Sequence, residues 1–227
     1  MRTRILGLTA SLLSVAVLNG QAPARQLPPD VNPVSLSRLP PVQRDALDAE
    51  GKRIYDVLAG GAGKTLTATG PGQVTMISPK VAEPVQMLNQ YLRTIEIGPR
   101  YFELSALVAI REIDQQYEWS GHEPAGLRAG LDQSIIDVVK FNKDVAGLSE
   151  KDATVIRLGR SVMRQHKVPP ELWAQTVKLF GQKGAFEVVT VMADYVMAGI
   201  MLTAVDQQLP PNRPGLLPIP AASPSSK

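Results

Sequence analysis

The stretch Tyr101–Leu131, YFELSALVAIREIDQQYEWSGHEPAGLRAGL, reads as two helices joined by a tight turn. Its first half is an apolar run in which Leu104, Leu107, Val108 and Ile110 recur at helical spacing, so this helix belongs at the centre of a bundle. One acid, Glu103, sits inside that run. The chain breaks at Asp114-Gln115-Gln116 and resumes as a second helix from Tyr117 to Ala129, closed by Gly130. Glu118 and His122 stand four residues apart on this second helix and can meet on one face. If the two helices pack as a hairpin, the Glu103 carboxylate also reaches His122. A carboxylate beside an imidazole orients the ring and raises its pKa, which makes a proton relay. The same residues equally describe a buried pair that only satisfies itself. Gln115 lies near the start of the second helix, where free N–H groups and a partial positive charge favour an anionic group.

Working outward, the chain has 227 residues, enough for one domain with a substantial core. Aromatic residues make up only 5% of it, which suits a helical bundle better than a sandwich. No cysteine is present, so disulfides, thiolate zinc sites and thiol catalysis are excluded. Only two histidines occur, His122 and His166, too few for a multi-histidine metal site within one chain. No metal and no cofactor is expected; a metal would need Glu118, His122 and a neighbouring subunit together.

At the N-terminus, Arg2 and Arg4 precede the apolar run Ile5–Leu18, and Ala22-Pro23-Ala24 has the small-x-small form of a signal-peptidase site. Residues 1–24 are therefore read as a signal peptide, with an uncleaved N-terminal anchor as the alternative, and the protein as exported, periplasmic or secreted. Removing the two arginines takes the net charge from +3 to +1, so nothing points to nucleic acid. Residues 25–41 read as a proline-rich linker, 42–209 as the helical domain and 210–227 as a disordered proline-rich tail. Gly60–Thr65 looks like the end of a phosphate loop. Leu58 stands where that motif needs glycine, and a helix, not a strand, precedes it, so it reads as a flexible connection.

The expected fold is all-α, a single bundle of about seven or eight helices with extended ends. Further helices are expected over Val42–Ala59, from Ser78-Pro79 or Pro84 onward, over Asp132–Lys140, from Ser149 to about His166, and from Pro169-Pro170 to near Gly181. The segment from Lys183 to about Val205 is the longest apolar one. Asp194, Ala193, Ala198 and Gly199 interrupt it, so it reads as a buried helix, with no membrane span left once the signal is cleaved. Its small residues and methionines suit close packing and make a homo-oligomer the expected state. Asp194 needs a partner or a function, being an acid in an apolar helix. His166 reads as structural, complementing a helix dipole. Arg100 and Arg111 flank the Glu103 helix and are candidates for a two-pronged hold on a substrate carboxylate, or for solvated surface. Trp119 and Tyr195 are candidates for pocket lining or for core.

In order and spacing, several segments resemble the carboxymuconolactone decarboxylase / alkylhydroperoxidase-D-like family. They are Gly70-Pro71, Ser78-Pro79, Phe102-Glu103-Leu104, Tyr117-Glu118-Trp119, His122-Glu123-Pro124, Ala129-Gly130-Leu131, Asp152-Ala153-Thr154-Val155 and the region around Tyr195. The resemblance runs from roughly Ile54 to Pro211. It implies an all-helical and usually oligomeric protein. The peroxidase branch carries a glutamate and C-x-x-C-x-x-x-H. Counting back from His122 places those cysteines at Glu118 and Gln115, and the glutamate falls on Glu103. With both thiols missing, thiol peroxidase or disulfide reductase activity is ruled out by chemistry. The decarboxylase branch uses neither thiol nor cofactor. By that likeness His122, helped by Glu103 or Glu118, delivers a proton, and Arg111 or Arg100 clamps a carboxylate. Arg100, Arg111, Gln115, Trp119 and Tyr195 make up the expected substrate-binding set. Decarboxylases of that branch are shorter and cytoplasmic, unlike a chain read as exported. The expectation is thus a cofactor-independent lyase on a small carboxylated or lactone substrate. Its alternative is a non-enzymatic exported oligomer that binds a small hydrophobic ligand or a partner.

Overall fold

The computed structural model of the chain describes residues 26–219. The expected signal segment lies outside the described residues. Among those residues the fold is all-helical, with eight α-helices and no strand.

Helix α1 (Ala49–Leu58) starts where Asp48 Oδ1 accepts from Gly51 N at 2.7 Å. This cap divides the single helix expected over 42–59, leaving only one 3-10 turn at Arg44–Ala46 before it. A five-residue helix, α2 (Pro71–Thr75), follows the glycine-rich loop. Helix α3 (Pro79–Leu92) begins with proline at its first turn and carries Pro84 within it, so Pro84 does not delay the start. Ile54 and Tyr55 of α1 pack on Met76 and Ala82 in a small satellite core.

Helix α4 (Gly98–Glu112) is the centre of the molecule. Leu104 and Ala106 through Ile110 have essentially no exposure, as their apolar run demands. Asp114, with φ of 50°, turns the chain back into α5 (Gln116–Arg128). The α5 N-terminus is capped by Gln115, whose Oε1 accepts from Tyr117 N at 2.9 Å. Its other end is a Schellman motif around Gly130, φ 89°. Leu131 N donates to Gly126 O at 2.9 Å and Gly130 N to Leu127 O at 3.1 Å.

Helix α6 (Gln133–Lys140) buries Ile135, Ile136, Val138 and Val139 under α4. Helix α7 (Glu150–Arg160) is capped by Ser149, whose Oγ accepts from Asp152 N at 3.1 Å. It lies close to α4 at Gly159, where an added Cβ would overlap Val108 Cγ1. A π-helical turn, Ser161–Gln165, ends it, and His166 leaves in the left-handed region at φ 54°.

Helix α8 (Pro170–Ala204) is broken at Gly181, whose φ of 70° and ψ of 170° separate residues 170–180 from 182–204. It is long and apolar enough to cross a membrane by length and composition. In this fold Ala185, Val188, Val191, Met192, Tyr195 and Leu202 are buried, and α8 packs along α4 and α7.

Both proline-rich ends pack on the domain as far as they are described. Asn32 and Ser37 form a small antiparallel bridge. Arg38 N donates to Val205 O and Gln208 N to Leu36 O, each at 2.7 Å, tying this segment to the end of α8. Residues 25–41 were expected as a bare linker; from residue 26 they form a docked strap. The tail expected to be disordered from 210 is likewise held through Ile219. Leu217 is buried in the main core, and Gln116 grips it with Nε2 to its carbonyl at 2.9 Å and Oε1 from its N–H at 2.8 Å. Composition alone hides this, because one leucine and one glutamine do the anchoring.

Candidate active site

The α4–α5 hairpin brings the predicted relay together. His122 Nδ1 lies 2.7 Å from Glu103 Oε2, and its Nε2 lies 3.5 Å from Glu118 Oε2. All three residues are buried. Burial by itself would lower the His122 pKa. The contacts with Glu103 and Glu118 outweigh it and raise the value to about 9. His122 is therefore an imidazolium at neutral pH. Glu103 fixes the ring from behind, and the Tyr195 ring meets it edge-on at 4.5 Å.

On its open side the relay meets a cavity of about 60 Å³ between α3, α5 and α8. His122, Glu118, Gln86, Asn89, Arg93, Asp194 and Tyr195 supply its polar lining. Asn89 Nδ2 donates to Asp194 Oδ2 at 2.7 Å. Arg93 donates from Nη2 to Tyr195 Oη at 3.0 Å and from Nε to Asn89 Oδ1 at 3.1 Å. Burial raises the carboxyl of Asp194, and it raises the Tyr195 phenol against the lowering influence of Arg93. The acid of the apolar helix thus has both a partner and a place at the cavity.

Of the expected substrate-binding residues, only Tyr195 is there. Arg100 forms a two-pronged ion pair with Asp152, at 2.6 and 3.0 Å, tying α4 to the start of α7. Arg111 donates to Lys140 O at 2.9 Å and pairs with Asp114. Neither arginine lines the cavity. Trp119 is core: it has no exposure, and its Nε1 donates to Glu123, which Lys140 also holds at 2.9 Å. Gln115 caps α5 and donates to Thr203 Oγ1 at 2.8 Å, so its polar atoms join helices and do not face a ligand. The sequence reading missed Asn89 and Arg93 as site residues. Their signal was an i, i+4 polar pair, each residue directly following an apolar one, Leu88 and Leu92.

The pair Arg100–Asp152 has a structural consequence. Asp152 is buried, and Arg100 is about a quarter exposed. Arg100→Ala is expected to cost about 2 kcal/mol, a buried-pair loss reduced by partial solvation. Denaturant unfolding reads this; ligand binding at the cavity stays unchanged.

A larger cavity lies elsewhere. A groove of about 670 Å³ runs between the ends of α4 and α7 and the second half of α8, lined by Met163, Met192, Val196, Met197 and Ile200, with His166 at its edge. Its lining is mostly apolar, with Glu112 and His166 as its ionisable members. No cluster of three or more metal-ligating side chains occurs among the described residues.

No family model and no curated protein matches the chain. Solved structures do. One match, at TM-score 0.59 and 12% identity, covers 77% of this chain and 91% of the other, the apo debrominase Bmp8. The fold is similar to that of Bmp8. A second Bmp8 structure matches at TM-score 0.58 and 13% identity, covering 74% of this chain and 89% of its own. The likeness extends over most of both chains and agrees with the all-helical architecture expected from the sequence. That second structure is a cysteine-to-alanine variant of Bmp8 in complex with 2,3,4-tribromopyrrole. The present chain has no cysteine at any position, so whatever a thiol does in Bmp8 is not done by a thiol here.

Proposed function

We propose that the protein is a cofactor-independent acid/base enzyme acting on a small carboxylated or lactone substrate, most simply a decarboxylase. One observation carries this reading. A buried histidine, His122, is braced at Nδ1 by Glu103 at 2.7 Å, has Glu118 3.5 Å from its Nε2, and lines a polar cavity. A bland self-satisfied pair would be sealed by core side chains; this one borders a cavity shared with Arg93, Asp194 and Tyr195.

In a decarboxylation the C–C bond to the carboxylate breaks and its electron pair moves into the substrate's own conjugated carbonyl. Carbon dioxide leaves, and the proton on His122 Nε2 passes to the carbon. Glu103 holds the ring's direction throughout, and solvent water returns the proton. The clamp role expected of Arg100 or Arg111 passes to Arg93. The cavity admits only the reacting end of a larger substrate. Export is part of this proposal, resting on the N-terminal sequence. So is a homo-oligomer, supported by the exposed Phe186 and Ile200 on α8.

His122→Gln is expected to reduce turnover of small carboxylated lactones by about 10²–10⁴-fold, measured as carbon dioxide release, while the fold persists. Undiminished release by the folded variant would sink the proposal. A second reading, a binder of small hydrophobic molecules, is supported by the 670 Å³ apolar groove. It separates in the same experiment, because a groove binder keeps its function in His122→Gln.

A further inference from the structure

Helix α3 brings Gln86 and Asn89 to the cavity beside His122, and Arg93 caps its C-terminal end there, yet little in one chain holds this helix in place. Of its fourteen residues only Ala82 and Leu92 are buried, Ala82 in the satellite core with α1 and Leu92 in the main core. Pro84, inside the helix, has no N–H to give the Lys80 carbonyl, so one bond of the ladder is missing. A helix of this length is marginal in water unless an apolar face is packed. The bonds from Asn89 to Asp194 at 2.7 Å and from Arg93 to Tyr195 at 3.0 Å nevertheless require α3 to stay put.

The unpacked face is apolar. Val81, Pro84, Leu88 and Tyr91 follow one another at spacings of three, four and three residues, with Met87 beside them and Ile77 just before the helix. Pro84 is exposed, and the other five are 37–59% exposed. Two charged residues, Lys80 and Glu83, border this face. Glu83 is already paired with Arg53 at 2.8 Å, and a lysine lays its methylenes over a neighbour while its ammonium stays in water. The stripe exposes on the order of 500 Å² of largely apolar surface, the upper part of the range for a soluble monomer.

The stripe fits a second copy of itself. With two α3 helices antiparallel about a two-fold axis at Pro84, Tyr91 of one copy falls opposite Ile77 of the other, each seven residues from the axis. Met87 likewise falls opposite Val81, each three residues away. A long side chain thus meets a branched one at each pair, and the alternating three-four spacing is that of a helix–helix seam. Two such faces bury about 1,000 Å² in total, the lower limit for a specific interface, which suits a dimer of modest affinity.

We propose that a second copy of the chain covers this face through α3, and that the contact holds Asn89 and Arg93 at the cavity. The interface gives the homo-oligomer proposed above a specific surface; its link to the site rests on the acid/base reading of that cavity.

Sedimentation velocity of the full chain over the micromolar range is expected to show a monomer–dimer equilibrium. Leu88→Glu and Tyr91→Glu, both changes at outward-facing positions, are expected to raise its Kd at least tenfold with the circular dichroism unchanged. Hydrogen exchange reads the link to the site. The amides of residues 85–92 are expected to exchange at least tenfold faster in the monomeric variants than in the wild-type dimer, while those of α4 do not change. A monomer at every concentration, or an unaltered Kd in both variants, overturns the interface. A dimer lost in Phe186→Glu and kept in Leu88→Glu puts the contact on α8 and overturns it too. Equal α3 exchange in monomer and dimer overturns the link to the site. His122→Gln is expected to dimerise like wild type, so a failed relay and a failed interface are told apart.

Discussion

Between pH 6.5 and 9 the folded protein is expected to lose about 3 kcal/mol of stability that a His122→Gln variant does not lose. The unfolded chain carries a histidine with the ordinary value of 6.5, whereas the folded one holds its proton to about 9. A raised pKa means that the folded state binds the proton more tightly. The associated stability is fully present below 6.5 and disappears as pH rises through 9. Its source is specific: burial works against the charged ring, and Glu103 at 2.7 Å with Glu118 at 3.5 Å more than compensates. Urea unfolding of wild type and His122→Gln at steps from pH 6 to about pH 9.5 measures it. Stopping there keeps clear of Tyr195, whose raised phenol costs stability only above its unfolded value of 10. Parallel stability profiles in the two proteins would show that folding does not raise the His122 pKa, so that the ring is mainly neutral at pH 7 and above. The proton donor of the proposed mechanism would then be absent at neutral pH.

What the sequence revealed about this site follows chain distance. Glu103 and His122 are 19 residues apart and separated by one turn, so an apolar helix, a break and a second helix suffice to bring them together. Glu118 needs only the helical repeat. Arg93 and Asn89 meet Tyr195 and Asp194 across 102 and 105 residues, through the packing of α3 on α8. No local pattern encodes that packing. Arg100 and Arg111 were attractive because they flank Glu103 in the chain, but tertiary partners claim both: Asp152, 52 residues on, and the Lys140 carbonyl, 29 residues on. The fold itself was more legible, since its signals are local. Ser149 caps α7 and Gly130 closes α5 where their residue types require, while Asp48 was a cap whose signal lay inside an otherwise continuous apolar pattern. At the proline-rich ends composition misleads, because polar contacts from Gln116, Gln207 and Gln208 dock segments that have little apolar surface of their own.

Trp119 provides the sharpest separation of core from site. Trp119→Ala is expected to lower stability by about 4 kcal/mol, whereas Trp119→Phe leaves ligand binding at the cavity unchanged. The ring is wholly buried in the main core with Leu107 and Ile136, so truncation removes its transfer energy and leaves a cavity that close-packed helices fill only in part. Its indole N–H also donates to Glu123, a buried carboxylate that Lys140 grips at 2.9 and 3.1 Å. Phenylalanine keeps most of the apolar contact and removes that one donor. The Lys140 pair remains, so the cost falls to about 1–2 kcal/mol. Denaturant unfolding orders the three proteins as wild type, Phe, Ala. Probe titration at His122 then tests the assignment directly. Trp119 is absent from the lining of the cavity, and α5 presents His122 and Glu118 to it on their own i, i+4 face. If Trp119→Phe weakens binding of a carboxylate probe tenfold while staying folded, the indole is part of the site after all. If binding holds while stability drops, the two faces of α5 divide the work, one anchoring the core through Glu123 and Lys140, the other presenting the relay.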